Sequence, residues 1–481
     1  MEGSNILRRI FVSLLSLTFC LVNAPAQQNT PPPPRTRAPA AAPLPPPRVK
    51  IDAYRERAGR IIGAALSSDV AYRRLAHLTD RFGHRLSGSE SLSRAIEWAL
   101  AEMKRDGLDG VRAERVMVPH WVRGEESLEL LEPAARRLPL LGLGGSTGTP
   151  PAGLTAEAVV VRSFDELDAL GEKVRGRVVV YNVPFTSYGA TVQYRGSGAS
   201  RAARWGAVAA LVRSVTPFSL QTPHTGGLRY AEDQPKIPSA AITVEGAELL
   251  QRMSERGDRL RLRLRMGAKF LPDAESANVV AELKGTERPE EVVLVSGHLD
   301  SWDVGQGAHD DGGGCVAAWE AIRLLKALGL RPRRTIRAVL YTNEENGLRG
   351  GNAYRDAHRA ELANHLLAIE SDSGVYRPTG FGLDEAAPPQ VRADVREIAR
   401  LLSGIRADLV EPDGGGADIG PIMREGVPGM SLNVDGTHYF DIHHTEADTF
   451  DKVDPQEFAA CVATLAVMAY VVADMPVRLR E

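Results

Sequence analysis

Apolar strands alternate with amphipathic helices through the second half of this chain, from residue 278 onward. The strand-like runs are VVAEL, VVLVSGH, TIRAVLYTNEE, LLAIESDSG and GMSLNVD. Helical periodicity predicts helices over 316–329, near 391–403 and over 455–472. Strands that are apolar along their whole length are buried on both faces, as in parallel sheets that helices cover. We therefore expect an α/β fold with a mainly parallel central sheet and helices on both faces.

Acidic and imidazole side chains follow the ends of four of these strands. They are His298 and Asp300, Glu344 and Glu345, Asp372, and His443 with His444; Asp310 and Asp311 open the helix after the first of these loops. Ligands of such sheets bind beyond the carboxyl ends of the strands. Taken singly, each side chain has an ordinary explanation, since an aspartate at a helix start is usually an N-cap. Together they supply the nitrogen and anionic oxygen donors that Zn²⁺ takes, and without a cation the carboxylates would repel one another.

These motifs, in this order, resemble the signature of the M28 family of di-zinc metallopeptidases. The matching segments are His298-x-Asp300, Gly-Ala-x-Asp310-Asp311, Asn343-Glu344-Glu345-x-Gly347, Ser371-Asp372-Ser373 and His444-Thr445-x-x-Asp448-Thr449. The longer runs GHLDSWDVGQGA-x-DDGGG and VPG…HH-x-x-x-DT are similar to the carboxypeptidase Q-like branch of that family. The resemblance extends from about residue 54 to residue 472. It implies a zinc exopeptidase-like fold that carries an inserted, β-rich protease-associated domain.

The resemblance implies two Zn²⁺ ions per subunit, with Asp310 as the carboxylate that bridges them. It places His298 and Asp372 on one ion, and Glu345 and His444 on the other. A shared carboxylate would hold the two ions about 3.5 to 4 Å apart. The spacing His-Thr-x-x-Asp-Thr favours His444 over its neighbour His443 as the ligand. The resemblance also implies a cis peptide bond after Asp310.

Two further carboxylates lie next to the expected ligands. Asp300 is expected to orient the imidazole of His298 and to raise its basicity. Neighbouring side chains at a strand end point to opposite sides, so Glu344 is left free to act as the general base while Glu345 binds metal. Asp448 is expected to support its loop through hydrogen bonds. The candidate substrate contacts are His443, Tyr439 and His438.

Changes of composition divide the chain into five segments. Residues 1–26 resemble an export signal, with Arg8 and Arg9 before an apolar run, and the Pro/Ala-rich residues 27–49 form a linker. Residues 51–107 have a helical pattern, whereas residues 130–269 contain short β-rich runs punctuated by glycine and proline, with a helical stretch around residues 200–207. This region is predicted to be an inserted domain, and residues 50–129 and 270–481 then form the catalytic domain.

The export signal predicts a secreted or periplasmic protein with no membrane insertion after cleavage. Cys315 and Cys461 lie in apolar helical patterns and are expected to be free, buried thiols. The net charge of −3 argues against nucleic acid as the main partner, because phosphate binding needs a basic face. The branch resemblance suggests a homodimer.

The sequence therefore predicts a secreted zinc exopeptidase, an aminopeptidase or dipeptidase, that hydrolyses short peptides by a metal-bridging hydroxide with Glu344 as general base. A carboxypeptidase on the same di-zinc centre would need a cation for the terminal carboxylate, and the sequence does not place Arg349, Arg377 or Arg424 relative to the metals. A non-catalytic, receptor-like protein on a peptidase scaffold is a further hypothesis, and so is a hydrolase of another amide.

Overall fold

A computed structural model describes residues 43–480; the predicted signal peptide and the linker up to residue 42 lie outside the described residues. The strands are β1 (Asp109–Val122), β2 (Glu126–Glu132), β3 (Arg136–Leu138), β4 (Leu140–Gly142), β5 (Leu154–Val161), β6 (Val178–Tyr181), β7 (Ala209–Arg213), β8 (Ser239–Ile242), β9 (Arg261–Met266), β10 (Lys269–Leu283), β11 (Arg288–His298), β12 (Arg334–Tyr341), β13 (His365–Glu370), β14 (Pro378–Leu383), β15 (Leu409–Glu411) and β16 (Gly429–Val434). The α-helices are α1 (Arg55–Leu66), α2 (Val70–Phe82), α3 (Glu90–Arg105), α4 (Phe164–Leu170), α5 (Tyr188–Arg204), α6 (Val244–Glu255), α7 (Gly313–Ala327), α8 (Arg349–His358), α9 (Pro389–Ala399), α10 (Gly420–Met423), α11 (Tyr439–Ile442) and α12 (Pro455–Asp474).

The first sheet has the strand order β1-β10-β12-β11-β13-β16-β14-β15. Its centre, β12-β11-β13-β16, is parallel as expected. The sheet as a whole is mixed, because β10 pairs antiparallel with both β1 and β12, and β14 pairs antiparallel with β16. β1 and β10 carry the chain out to a second sheet and back again, which places them side by side in opposite directions.

Helices cover both faces of the first sheet. Successive side chains of a strand point to opposite faces, so Val293 and Val295 belong to the cluster that contains α7 and α12. Leu294 belongs to a different cluster, with Tyr354 of α8 and Ile419. All eight residues of β12 are buried. The continuous apolar runs of the sequence are thus explained by burial on two sides.

Residues 126–266, which we call the second-sheet region, form a sheet of order β3-β2-β9-β5-β6-β7-β8-β4 with two hydrophobic clusters of its own. The run RLRLRLRM contains β9, whose residues alternate between exposed and buried. Arg261 and Arg263 on its exposed face pair with Glu132 and Glu129 of β2. The mixed α/β architecture is confirmed. The predicted helix near residues 200–207 is α5, which begins earlier, at Tyr188.

α12 is the last helix of the described chain, and nearly all of its residues are buried. It is long and apolar enough to cross a membrane by composition alone, but 83% of its most apolar stretch is buried inside the protein. It packs on α1 and α7. Cys461 of α12 and Cys315 of α7 are both buried and free, as predicted.

The last part of the predicted linker contacts the folded body. The backbone N–H of Arg48 donates to the Asp394 carboxylate at 2.6 Å, and its guanidinium donates to the same side chain at 2.9 Å. Val49 is buried with the core. The packed part of the chain therefore includes these two residues, just before the expected start near residue 50.

Candidate metal centre

The predicted metal-binding side chains meet at the carboxyl ends of the central parallel strands. His298 is the last residue of β11, and Glu344 and Glu345 follow β12 within four residues. Asp372 lies two residues beyond β13. His444 comes from the loop after α11, which follows β16. Parallel strands bring these four segments to one edge although nearly 150 positions separate the first from the last.

Asp310 lies between two pairs of side chains. Its Oδ1 is 3.4 Å from His298 Nε2, and its Oδ2 is 3.2 Å from His444 Nε2. His298 Nε2 is also 3.3 Å from Asp372 Oδ1. His444 Nε2 is 3.1 Å from Glu345 Oε2. One carboxylate therefore has an imidazole–carboxylate pair on each of its two oxygens, the arrangement that a bridging ligand requires.

His443 lies beside His444 and is also close to the cluster. The two rings stack with centroids 3.5 Å apart, and His443 Nε2 is 3.7 Å from Asp310 Oδ2. His443 also meets the rings of Tyr188 and Tyr439, at centroid distances of 5.4 and 5.0 Å. Burial, together with the charge of His444, holds the pKa of His443 well below its ordinary range. His443 is thus a neutral ring in the wall of the site.

Backbone carbonyls fix the orientation of both metal-facing histidines. His298 Nδ1 lies 3.0 Å from the carbonyl oxygen of Asp300, whereas the nearest carboxylate oxygen of Asp300 is 3.9 Å away. The expected hydrogen bond from the ring to the Asp300 carboxylate is therefore replaced by one to its main chain. His444 Nδ1 lies 3.3 Å from the carbonyl oxygen of Thr225, in the second-sheet region.

The carboxylate of Asp300 instead accepts hydrogen bonds from the backbone of the loop after β12. It accepts the backbone N–H of Glu344 at 3.1 Å and that of Glu345 at 3.4 Å. Asp300 is fully buried, and its two oxygens hold the turn that presents the two glutamates. It therefore connects the β11 loop to the β12 loop.

The loop that carries Asp310 is held from both sides. Asp448 accepts the backbone N–H groups of His309 and Asp310 at 2.8 and 3.0 Å, which confirms its expected role. Asp311 accepts the N–H of His298 at 3.0 Å and that of Gly314 at 3.0 Å, so it caps the start of α7. The peptide bond between Asp310 and Asp311 is cis, as the resemblance implies.

Arg85 is a supporting residue that sequence reasoning missed. Its guanidinium is fully buried and donates to the carbonyls of Gly83, Leu299, Gln306 and Gly307, at distances between 2.6 and 2.9 Å. Three of these four carbonyls belong to the loop between His298 and Asp310. The sequence gives no sign of this role, because arginine in a short glycine-containing loop is usually exposed.

The electrostatics of the cluster favour positive charge at its centre. Although burial lowers the pKa of both imidazoles, Asp372 and Asp310 hold the pKa of His298 well above its ordinary range, and Glu345 with Asp310 raises the pKa of His444 to about 10. Burial also acts against ionisation of Asp310, yet hydrogen bonds from the two histidines hold its pKa well below the ordinary range. Sites that attract protons so strongly also attract cations in their place.

The donor set fits zinc. Among the described residues, three sets of three side chains each bring their donor atoms within 4.8 Å of one another. These sets are Asp310–His443–His444, His298–Asp310–Glu345 and His298–Asp311–Asp372. Glu345 Oε1 is buried without a hydrogen-bond partner, so it is an anionic acceptor that a cation would satisfy. Neutral imidazole nitrogen and carboxylate oxygen are typical zinc ligands. The residues that would hold two ions are His298, Asp310, Glu345, Asp372 and His444.

Glu344 faces the cluster but lies outside the two ligand pairs. Its Oε2 is 3.9 Å from His298 Nε2. Burial, Asp372 and Glu345 hold the pKa of Glu344 well above its ordinary range, although His298 acts in the opposite direction. A carboxylate that binds a proton readily and borders an open cavity is suited to acid–base chemistry.

Two cavities open on the cluster. The first, of about 570 Å³, is lined by four of the five ligands and by Tyr188, Arg195, Glu411 and Tyr439; the fifth ligand, His298, is buried behind them. The second, of about 910 Å³, lies against the second-sheet region and shares Arg195, Glu344 and Glu345 with the first. Among the predicted substrate contacts, His443 and Tyr439 line the first cavity. His438 does not, since 76% of its side chain is exposed and it pairs with Asp441.

Arg195 is the basic side chain that lines both of these cavities next to the cluster, and sequence reasoning did not find it. Two of the candidate arginines lie elsewhere. Arg377 pairs with Asp435 at the surface, and Arg424 borders a shallow depression beside the glycines 414–416. Arg195 comes from α5 in the second-sheet region, more than 100 positions before the first metal ligand. No motif in the sequence connects it with the cluster.

Comparison with known proteins agrees with this geometry. A family model described as Peptidase family M28 matches residues 278–469. Carboxypeptidase Q of Mus musculus is 48% identical over 429 residues, which span 89% of this chain and 91% of that protein. Carboxypeptidase Q of Bos taurus is 51% identical over 408 residues, which span 84% and 85%.

Solved structures give the same result at the level of the fold. A peptidase M28 precursor from Shewanella amazonensis superposes with a TM-score of 0.86 at 35% identity, covering 90% of this chain and 99% of that one. A zinc aminopeptidase from Bacillus subtilis superposes with a TM-score of 0.65 at 20% identity, covering 85% and 96%. At 20% identity, the similarity to the Bacillus subtilis protein shows a shared fold and nothing more.

Proposed function

The chain belongs to peptidase family M28, in its carboxypeptidase Q-like branch, and from that membership we propose that the strand-end cluster is the active centre of a zinc exopeptidase acting on short peptides. The observation that carries the proposal is the position of Asp310 between the pairs His298–Asp372 and Glu345–His444. Glu344 lies beside this group at the wall of both cavities. We propose that this exopeptidase is a dipeptidase or an aminopeptidase.

The five ligands would hold two zinc ions. When bound, the ions polarise the scissile carbonyl and lower the pKa of water towards neutrality. Glu344 accepts a proton from the attacking water and delivers it to the leaving amine, as a general base and then a general acid. Asp300 holds the backbone of Glu344 and so fixes where its carboxylate lies. His298 and His444 keep their Nε2 atoms aimed at the centre because carbonyls accept from their Nδ1 atoms.

We also propose the finer organisation of the chain. The second-sheet region corresponds to the inserted protease-associated domain expected over 130–269, and its own hydrophobic clusters support this. Residues 50–129 and 270–481 then form the catalytic domain. The leader-like residues 1–26 and the linker that follows support export to the periplasm or the medium. A homodimer is proposed from the branch resemblance.

Replacement of the general base tests the proposed activity. Glu344→Gln preserves size and removes the proton acceptor, so kcat on unblocked dipeptides is expected to fall about 10²- to 10⁴-fold. Zinc content should stay at two ions per chain, because Glu344 lies outside both ligand pairs. Turnover would be measured on a panel of unblocked dipeptides, and zinc by elemental analysis.

Glu446→Gln is the matched control, since Glu446 is exposed in the loop after His444. It should keep both activity and zinc. Normal turnover by the Glu344 variant would contradict its role as base. A zinc-loaded wild-type protein that hydrolyses no dipeptide on the panel would contradict the peptidase proposal itself.

A further inference from the structure

The first cavity includes a polar recess formed by the outer strands of the first sheet. Thr379 of β14, Glu411 of β15 and Asn433 of β16 line this recess, which we call the edge recess. The strands β16-β14-β15 stand at the end of the sheet order. The second cavity is bounded by other residues. The edge recess therefore belongs to the first cavity alone.

The strand register brings Glu411 and Asn433 to the same face of the sheet. Glu411 pairs with Gly382 of β14, which pairs on its other side with Ser431 of β16. Asn433 pairs with Gly380, two positions earlier in β14. Paired residues share a face, and so do residues two positions apart. Because β14 has glycine at both positions, no side chain of β14 stands between Glu411 and Asn433.

The carboxylate of Glu411 keeps most of its capacity to accept hydrogen bonds. Ser431 Oγ donates to Asn433 Oδ1 at 2.9 Å, so the Asn433 amide directs its Nδ2 to Glu411, 3.4 Å from Oε2. Arg392 and Arg396 border a depression that Glu411 also lines. In the described part of the chain, neither of them nor any other basic side chain forms an ion pair with Glu411. A carboxylate can accept about four hydrogen bonds, so a cationic donor can still bind.

Glu411 gives the edge recess a negative charge. Apart from the metal-binding cluster and the general base, the first cavity is lined by one carboxylate, that of Glu411, and by one guanidinium, that of Arg195. Arg195 comes from the second-sheet region, and its Nη1 lies 3.4 Å from His444 Nδ1. Glu411 comes from the edge strand of the first sheet. The edge recess thus offers an anion and neutral polar side chains to a ligand.

The proposed mechanism determines which part of the substrate faces the edge recess. Glu344, which delivers the proton to the leaving amine, lines both cavities. The leaving residue therefore lies on the side where the two cavities join. Asp372 and Ser373 line the first cavity only, as the edge recess does. The residue that supplies the scissile carbonyl, which is the N-terminal residue of a dipeptide, is then on the side of the edge recess.

We propose that Glu411 selects substrates whose N-terminal residue has a cationic side chain. The ammonium group of lysine or the guanidinium of arginine would lie in the edge recess and donate to the Glu411 carboxylate. Both side chains have a long apolar stem, which lets the charge reach the sheet edge while the scissile bond stays at the centre. This inference rests on the proposed function and deepens it, because it names the side chain that the same centre prefers.

The test varies the charge of one substrate side chain at a time. Lys-Ala, Met-Ala and Glu-Ala differ at the N-terminal residue, whereas Ala-Lys and Ala-Met differ at the second residue. For the zinc-loaded wild-type protein, kcat/KM is expected to decrease in the order Lys-Ala, Met-Ala, Glu-Ala. Glu411 is exposed to solvent, so each step is expected to be about 3- to 10-fold, which is small for a charged hydrogen bond.

Two variants of Glu411 change the charge of the edge recess. Glu411→Gln should lower the ratio of kcat/KM on Lys-Ala to kcat/KM on Met-Ala about 3- to 10-fold. Glu411→Lys should reverse the order, so that Glu-Ala becomes a better substrate than Lys-Ala. A residue that only supports the sheet edge would not produce this reversal. Neither variant should change the ratio of kcat/KM on Ala-Lys to kcat/KM on Ala-Met.

Glu385→Gln is the matched control. Glu385 is exposed and lines the depression beside Glu411, but it does not line the first cavity. Its variant loses the same charge and should keep the wild-type order of substrates. Zinc content and the melting temperature of each variant show whether the centre and the fold are intact.

Two outcomes would overturn the inference. One is a wild-type protein that cleaves Lys-Ala, Met-Ala and Glu-Ala equally well, a result that requires no variant to fold. The other is a change by the same factor on Lys-Ala and Met-Ala in both Glu411 variants, which would indicate that Glu411 binds the α-ammonium group common to these peptides or supports the fold. Either leaves the peptidase proposal standing. A zinc-loaded wild type that cleaves none of the peptides would overturn the proposed function, and with it the inference.

Discussion

Arg85 shows how a residue outside the centre determines its geometry. Because its buried guanidinium donates to four carbonyls, Arg85→Met would leave these carbonyls unsatisfied. Each unsatisfied buried group costs about 1–3 kcal/mol, so the free energy of unfolding is expected to fall by at least about 3 kcal/mol. The loop between His298 and Asp310 would also lose its fixed position, and zinc affinity is expected to fall about 10- to 100-fold.

Urea unfolding and competitive zinc titration measure these two effects. Arg81→Met is the comparison variant, since Arg81 is an exposed arginine at the end of α2. It is expected to match the wild type in both measurements. If Arg85→Met unfolds at the wild-type urea concentration and binds zinc equally well, the four hydrogen bonds do not have the role assigned to them.

The start of α7 depends on glycine because the segment just after β13 approaches it closely. A Cβ atom at Gly314 would overlap the carbonyl oxygen of Ser371 and the carboxylate of Asp311. Gly314→Ala is therefore expected to destabilise the protein by about 1–3 kcal/mol through overpacking. Because Asp311 also accepts from His298, activity should fall together with stability.

Gly63→Ala provides the opposite case. Gly63 lies inside α1, and a Cβ atom there would have no neighbour within 4 Å. The substitution is expected to raise the free energy of unfolding by about 0.5–1 kcal/mol, because alanine is the better helix former. Denaturation curves of the two variants would establish the contrast. A neutral Gly314→Ala would show that α7 can move away from β13.

The buried histidine His365 makes the stability of the whole protein sensitive to acid. His365 is fully buried, with the Tyr354 hydroxyl 2.9 Å from Nε2 and the Glu361 carbonyl 3.2 Å from Nδ1. Burial lowers the pKa of His365 from 6.5 to about 4. Between these values the unfolded chain binds a proton that the folded protein does not. Stability is therefore lost as the pH falls through this window.

A variant that cannot titrate isolates this contribution. From pH 7 to pH 5 the wild type should lose about 2 kcal/mol more stability than His365→Gln, whose amide can still accept from Tyr354. His84→Gln, at an exposed histidine, should follow the wild type. Urea unfolding at both pH values gives the comparison. Parallel losses in wild type and His365→Gln would show that His365 is not the origin of the acid sensitivity.

Much of the fold follows from sequence patterns with a direct physical cause. The continuous apolar runs identify strands buried on two faces, and the polar residues after them mark the edge where those strands end together. The alternation in RLRLRLRM identifies β9 because one face of that strand is exposed. The sequence predicts only the end of α5, because Gly189, Gly196 and Gly198 interrupt the helical pattern of its first part.

The parts that sequence reasoning missed depend on contacts between distant segments. No spacing rule shows that the Asp300 carboxylate holds the turn of Glu344 while its carbonyl accepts from His298. Nor does any motif bring Arg195 from the second-sheet region to the catalytic cluster. The first contact joins two loops of one sheet and the second joins two regions of the chain, and local periodicity encodes neither.

The two carbonyls that accept from His298 and His444 give the centre a property unusual for structural zinc sites. The protein's own main chain orients both rings, so the direction of their Nε2 atoms is set by the fold. A chelator is therefore expected to abolish the activity without unfolding the protein. Metal-free protein is expected to regain activity when zinc is added back, so the supply of metal would control the chemistry and not the fold.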